Sequence, residues 1–354
     1  MAEHHHVRVQ PDKLETSIKE VLESIGVASP HREIVAEALV RADLRGVDSH
    51  GVARLEAYVE HFEAGGFARD PEIEIDERGA GAIVVDGDDG PGQSVGKHAM
   101  ERTIELSRST GVAFATVKHS NHFGTAAYYT EMASATDCIG MAMTNVPPEV
   151  IPFGGTEPYL GTNPISVSCP TPYDFPITLD MATSIVAMGK VAHVAAERGE
   201  SIPGDWAVDE KGRPTTDPNE VRALRPVGGA KGYGLGVVVD VLAGLLSGGG
   251  PSPTTGQLYE AFDESMDVGH FFLAIDVESV RDVDAFKADV GAFVDGIKGI
   301  EPEEGVDSVM LPGEIEARTM ERNLERGVPI NATVYAKLET LAERYGVEMA
   351  SPTS

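Results

Sequence analysis

The chain has 354 residues, 42% of them hydrophobic, enough for a large core and too apolar for a disordered chain. Aspartate and glutamate number 57 against 28 for lysine and arginine, a formal net charge of −29, so the surface repels nucleic acid and anionic membranes. No apolar run approaches the roughly 18 residues of a spanning helix, and the polar N-terminus lacks a signal-peptide core, so a cytoplasmic location is expected.

In chain order, Leu14, Ile18, Val21, Leu22 and Ile25 recur at helical spacing, and a second helix after Ser29 and Pro30 carries Ile34, Val35, Ala38, Leu39 and Ala42. A third helical stretch over 51–64 aligns Leu55, Tyr58, Val59 and Phe62. Beyond Phe67 the pattern turns to strands near 73–75 and 82–85, a Gly- and Asp-rich turn over 79–96, and a helix over 98–109. Strands over 112–117, 139–144, 165–168 and 177–179 alternate with loops and one helix over 126–135, an α+β arrangement. Residues 200–225, with Pro203, Pro214 and Pro218, read as a long loop. A closely packed Gly- and Val-rich helix spans 231–247, followed by a loop over 248–255, a strand over 270–276 and a helix over 283–297. Residues 300–328 read as irregular then helical, and an amphipathic helix spans 332–345. Cys138 and Cys169 fit no zinc or disulfide pattern and read as buried thiols.

The acid excess runs the whole length, and lysine is scarce, 10 against 18 arginines. In dilute buffer such a surface repels itself, whereas at molar salt the Debye length is about 3 Å and the repulsion is screened. A salt-rich cytosol, as in a halophilic archaeon, is therefore expected.

No Gly-x-Gly-x-x-Gly follows a strand: Gly232, Gly234 and Gly236 alternate, but Val237 breaks the pattern. The stretch Gly92 to Lys97 is one residue short of a P-loop, and His98 stands where Ser or Thr is needed. Four other segments concentrate Gly, Asn, Thr, Pro and His. Arg45 to Arg54 places His50 and Arg54 four apart, one face if helical, where a guanidinium fork suits a planar carboxylate. A capping turn beside a surface arginine would look the same. Lys118 to Thr125 carries His119 and His122 between a strand and a helix, where acid/base groups or merely hydrogen-bonded loop histidines can sit. Segments around Thr144 and Asn145, Pro152 to Gly155, Gly161 to Ile165 and Asp180 to Ser184 offer amides and hydroxyls at strand ends, suited to carboxamide and phosphate contacts or to ordinary turns. The fourth, Lys231 and Gly232 with Pro312 to Glu314, is a weak phosphate signal.

Taken together, Ser49-His50-Gly51 with Arg54, Ser120-Asn121-His122-Phe123-Gly124, Pro152-Phe153-Gly154-Gly155, Gly161-Thr162-Asn163-Pro164, Asp180-Met181-Ala182-Thr183-Ser184, Lys231-Gly232-Tyr233-Gly234, His270-Phe271-Phe272 and Pro312-Gly313-Glu314 resemble the malate/L-lactate dehydrogenase family. That family also contains sulfolactate, ureidoglycolate, 2,3-diketo-gulonate and Δ1-piperideine-2-carboxylate oxidoreductases. The resemblance spans nearly the whole chain. It implies a homodimer and an α+β fold: a helical lobe from 1–70 and 230–354, and a central lobe with a mixed or antiparallel sheet over 71–229. It also implies a non-Rossmann site for NAD or NADP. The implied reaction interconverts a 2-hydroxyacid and a 2-oxoacid, malate/oxaloacetate or L-lactate/pyruvate, with sulfolactate, ureidoglycolate or a cyclic imine as alternatives. Carried over, His122 is the acid/base and His50 the neighbouring donor, with the reverse assignment open. Arg54 is the carboxylate clamp, and Ser49 and Thr162 join it at the substrate. Asn145, Asn163, Asp180, Met181, Ala182, Thr183, Ser184, Lys231, Gly232, Pro312, Gly313 and Glu314 line the cofactor site. His119 falls one position off the pattern and reads as structural. A non-catalytic binding protein would not need two histidines and an arginine converging. A metal-dependent hydrolase would have to recruit His4, His5 and His6, three histidines at a chain end that read as incidental, and no metal site is expected.

Overall fold

A computed structural model describes residues 6–196 and 200–353. The chain begins with strand β1 (His6–Val9) and helices α1 (Pro11–Ser24) and α2 (His31–Leu44). Two short 3-10 turns, Asp48–His50 and Val52–Arg54, lead into α3 (Leu55–Ala64). Pro11 suits the first turn of α1, where its missing N–H costs nothing, and Gly65 ends α3 at φ 100°, in the left-handed region. The middle of the chain is β2 (Glu74–Glu77), β3 (Ala82–Gly90), α4 (Gly92–Thr110), β4 (Val112–Ser120), α5 (Ala127–Ser134), β5 (Cys138–Thr144), β6 (Ile165–Cys169), β7 (Ile177–Met181) and α6 (Met188–Ala196). Then come three two-residue strands, β8 (Ala207–Val208), β9 (Pro214–Thr215) and β10 (Ala223–Leu224), helix α7 (Ala230–Val239) with a π-helical continuation (Asp240–Leu245), and β11 (Val268–Asp276). Helices α8 (Val283–Lys298) and α9 (Glu314–Arg326), strand β12 (Val328–Asn331) and α10 (Ala332–Arg344) follow.

The main sheet has seven strands in the order β2-β3-β4-β11-β5-β6-β7, with β3 and β4 parallel and every other neighbouring pair antiparallel. This is a mixed α+β architecture, with no doubly wound parallel sheet among the described residues. Helices α4 and α5 cover one face, burying Val95, Met100, Tyr129 and Phe272 with Ile83, Val85 and Val117. A second core joins α1, α2 and α3 to α10 and the β1–β12 pair, with Leu14, Leu22, Leu39, Tyr58 and Leu338 fully or almost fully buried.

Three sequence expectations need correction. Strand β11 lies at the centre of the sheet, between β4 and β5, so residues 230–354 cannot all be assigned to the helical lobe. Its apolar run, His270 to Ala274, is buried apart from the half-buried Leu273. Helix α4 begins at Gly92, not near 98. A Cβ at Gly92 would lie 2.1 Å from the Asn121 carbonyl oxygen, and one at Gly96 would lie 2.7 Å from the Tyr129 ring. These glycines serve close packing rather than a turn. Finally, the 200–225 segment is not only loop, because β8 pairs with both β9 and β10 in a small separate sheet.

Candidate active site

The two 3-10 turns before α3 and the loop after β4 meet at a cavity of about 170 Å³, lined among others by His50, Arg54, His122, Glu149, Thr162 and Tyr259. The turns are held by Asp43 of α2, which accepts from the Val52 N–H at 2.8 Å and is itself buried. Burial pushes the Asp43 carboxyl well above the usual range. The His50 and His122 rings stack at 5.5 Å and 21°. His50 Nδ1 is 2.9 Å from the Ser49 hydroxyl. Arg54 donates from Nε to the Ser49 carbonyl at 2.6 Å and from Nη1 to the Tyr259 hydroxyl, and its guanidinium lies 5.3 Å from the Tyr259 ring centroid. His122 Nδ1 is 2.6 Å from the Tyr58 hydroxyl, leaving Nε2 for the cavity.

Burial, and then the positive charge of Arg54, lower the His50 pKa to about 4. Burial, His50, Arg54 and His270 in that order hold His122 well below its ordinary value. Both rings are therefore neutral near pH 7. Burial raises the Glu149 carboxyl, while Arg54 opposes the shift.

A larger cleft of about 510 Å³ adjoins this cavity and shares His50, Gly124, Thr162, Pro164 and Ala187 with it. Of the residues expected at a cofactor, Asp180, Met181, Ala182, Pro312 and Gly313 line this cleft; of those expected at the substrate, Ser49 lines it too and Thr162 stands at its junction with the cavity. Asp180 accepts from the Ala127 N–H at 2.8 Å, and burial raises its pKa to about 6.

The remaining expected cofactor residues lie elsewhere. Asn145 and Asn163 are fully buried and donate to Asp240 at 3.3 and 3.2 Å, behind the wall of the site. Thr183 donates to the Thr162 carbonyl at 3.1 Å, and Ser184 to the Val186 carbonyl at 2.7 Å. Glu314 is buried against Lys298 and Arg318. Lys231 is exposed outside both hollows, and a Cβ at Gly232 would meet the Val227 carbonyl at 2.2 Å, so that glycine serves packing. Gly-, Asn- and Thr-rich text cannot separate a ligand contact from a buried knot that holds the wall. Sequence reading missed Arg45, Leu179 and Glu316 in the cleft and Glu149 and Tyr259 in the cavity. It counted Tyr58 as core, although a polar tip on an apolar helix face was the available signal.

His119 is bound to Asp86 at 2.9 Å, away from the cavity. His270 is fully buried between the Thr144 and Ser120 hydroxyls, at 2.8 and 2.9 Å. Cys138 is buried and Cys169 half-buried. His4 and His5 lie outside the described residues, and among the described residues no group of side chains could hold a metal ion.

A model of the family described as malate/L-lactate dehydrogenase matches residues 9–339. The chain is 40% identical to a malate dehydrogenase of Pyrococcus horikoshii, over 97% of each. It is 34% identical to an NAD(+) ureidoglycolate dehydrogenase of Escherichia coli O157:H7, over 94% of this chain and 95% of that one. The structure of the Methanocaldococcus jannaschii sulfolactate dehydrogenase aligns with a TM-score of 0.90 at 35% identity, over 97% of this chain and 98% of the other.

Proposed function

The chain belongs to the malate/L-lactate dehydrogenase family, and we propose that this hydroxyacid dehydrogenase interconverts malate and oxaloacetate or L-lactate and pyruvate with NAD(H). The observation that carries this reading is the stacked His50–His122 pair beside Arg54 in one cavity.

The substrate carboxylate sits on Arg54, whose guanidinium is already aimed by Ser49 and Tyr259. His122, through Nε2, exchanges the proton of the C2 oxygen, and His50 supports the same oxygen as a neighbouring donor. A nicotinamide held in the adjoining cleft would supply the hydride chemistry at C2, while the side chains here orient the substrate and move the proton. Overall, a 2-oxoacid, a reduced nicotinamide and one proton give the 2-hydroxyacid and the oxidised nicotinamide.

The adjoining cleft fits the cofactor in size, within the roughly 300–1,000 Å³ of small-molecule sites, and it opens on the catalytic cavity. Thr162, Asp180, Met181, Ala182, Pro312 and Gly313 would hold it. The charged side chains there are Arg45, already tied to Glu131 at 2.5 Å, and the carboxylates Asp180 and Glu316. Carboxylates suit ribose hydroxyls and repel a 2′-phosphate, which supports NAD over NADP.

Among the described residues no helix is long and apolar enough to cross a membrane. A cytoplasmic, halophilic homodimer completes the reading. The dimer is supported by Leu235, Val238, Val241 and Leu245, a row of exposed apolar side chains at helical spacing on α7 and its continuation. The test is absorbance at 340 nm in molar salt with oxaloacetate, pyruvate, sulfopyruvate and a cyclic imine, each with NADH and NADPH. Activity with the imine alone would overturn the hydroxyacid assignment, and activity with NADPH alone would overturn the cofactor assignment.

A further inference from the structure

We propose that Tyr58 and Gln93 are a positioning pair that selects the tautomer of His122, with the orientation of the Gln93 amide deciding which ring nitrogen carries the proton. The inference rests on the reading of His122 as the acid/base group. Three elements converge on this chain of contacts. Tyr58 comes from α3, Gln93 from the first turn of α4, and His122 from the loop after β4. Gln93 donates from Nε2 to the Tyr58 hydroxyl at 2.7 Å, and that hydroxyl is 2.6 Å from His122 Nδ1. Tyr58 and Gln93 are both fully buried, so no bulk water can replace a missing partner. The glycine at 92 makes the approach possible, since any Cβ there would strike the backbone of Asn121 and His122 at 2.1 to 2.7 Å.

The hydroxyl of Tyr58 has one hydrogen to give. With the amide nitrogen of Gln93 facing it, the hydroxyl accepts from Gln93 and donates to Nδ1. A neutral His122 then carries its hydrogen on Nε2. That tautomer can hydrogen-bond a carbonyl, but it cannot take the proton of a hydroxyacid. Oxidation needs Nε2 bare, and reduction needs a proton on both nitrogens. In both working forms Nδ1–H donates to the Tyr58 oxygen, so the phenolic hydrogen needs another acceptor. Gln93 Oε1 is buried with no hydrogen-bond partner among the described residues. Turning the amide over brings that oxygen to Tyr58 and receives the hydrogen. The other groups that bear on the charge of His122 are His50, Arg54 and His270, with Glu149 on the cavity wall. None of them contacts Nδ1 at hydrogen-bonding distance, so the tautomer is set from the Tyr58 side.

The test is the pH profile of kcat/KM for the oxoacid in Gln93→Glu, Gln93→Met, Tyr58→Phe and the Tyr58→Phe/Gln93→Glu double variant. A carboxylate at 93 can only accept, so Gln93→Glu should raise the apparent pKa of the His122 limb by about one unit or more, and Gln93→Met should lower it. Tyr58→Phe should lower kcat about tenfold or more with little change in KM. In the Tyr58→Phe background the Gln93→Glu shift should collapse to less than half. A shift of equal size there would mean simple through-space charge and would overturn the proposal. So would a pH limb unmoved in the Gln93 variants while melting temperatures fall, which is the mark of a packing role alone. His122→Asn separates the two levels. If it keeps the limb, the acid/base reading itself fails. If it abolishes the limb while the Gln93 variants leave the wild-type limb in place, only this inference fails.

Discussion

Arg54 is the only fixed positive charge among the residues lining the cavity of His50 and His122, and it adds to burial in lowering both rings. A bound carboxylate cancels that charge. Binding an unreactive 2-oxoacid analogue to the cofactor-loaded enzyme should therefore be accompanied by proton uptake, because cancelling the Arg54 charge raises the folded pKa of His122 while burial still lowers it. Calorimetry in buffers of different ionisation enthalpy measures the uptake, and buffer-independent heats would contradict it. Arg54→Lys keeps the charge but loses the fork, so kcat/KM should fall about 10²-fold or more, roughly 3 kcal/mol of transition-state stabilisation, with cofactor affinity nearly unchanged. Glu149 lines the same cavity, and in its ionised form it would oppose a second anionic group on the substrate. Glu149→Gln should improve kcat/KM for oxaloacetate several-fold relative to pyruvate, and an unchanged ratio would remove Glu149 from substrate choice. His50, Arg54 and His122 were legible in sequence because chemistry-bearing residues cluster there within short motifs. Glu149, Tyr58 and Gln93 were not, because each reaches the site from a different element and stands alone in its own stretch of chain.

The local turns are as demanding as the side chains they carry. A Cβ at Gly51 would lie 1.9 Å from Asp43 Oδ1, so the residue between His50 and Val52 is forced by the buried carboxyl beneath it. Gly51→Ala must displace Asp43 and break its bond to the Val52 N–H, which misaims His50 and Arg54 together. A loss of about 1–3 kcal/mol in stability is expected, with a drop in kcat/KM larger than that of either neighbouring side chain moved alone. Gly79→Ala, with open space around its Cβ and no left-handed φ, is the control and should change neither melting temperature nor activity. Equal behaviour of the two variants would show that Gly51 is dispensable. Most helices and most strands were legible from periodicity, but α6 was not read. The early start of α4 and the central place of β11 were not, because both depend on what packs against them across the fold: the Asn121–His122 loop for Gly92, and β4 and β5 for β11. A strand's neighbours in a sheet leave no mark on its own alternation.

At the scale of the whole molecule, two opposing features meet. The net charge of −29 pushes copies apart, while the exposed row of Leu235, Val238, Val241 and Leu245 would favour an apolar partner. Which wins depends on ionic strength. At about 0.1 M salt the Debye length is about 10 Å and charges on facing surfaces still sense one another, whereas near 1 M it is about 3 Å and only direct contacts count. Burial of apolar surface is insensitive to this screening, so a dimer formed through α7 should be strengthened as salt is added. Light scattering after gel filtration should give a dimer in about 2 M potassium chloride and a shift toward monomer in about 0.1 M, with a lower melting temperature at the low-salt end. Leu245→Asp places a charge in the middle of the row and should yield monomer even at high salt, leaving the fold intact by circular dichroism. A dimer that survives Leu245→Asp would move the interface elsewhere on the surface. Identical melting temperature and assembly at the two salt concentrations would show instead that the acidic surface carries no halophilic adaptation, whatever the interface proves to be.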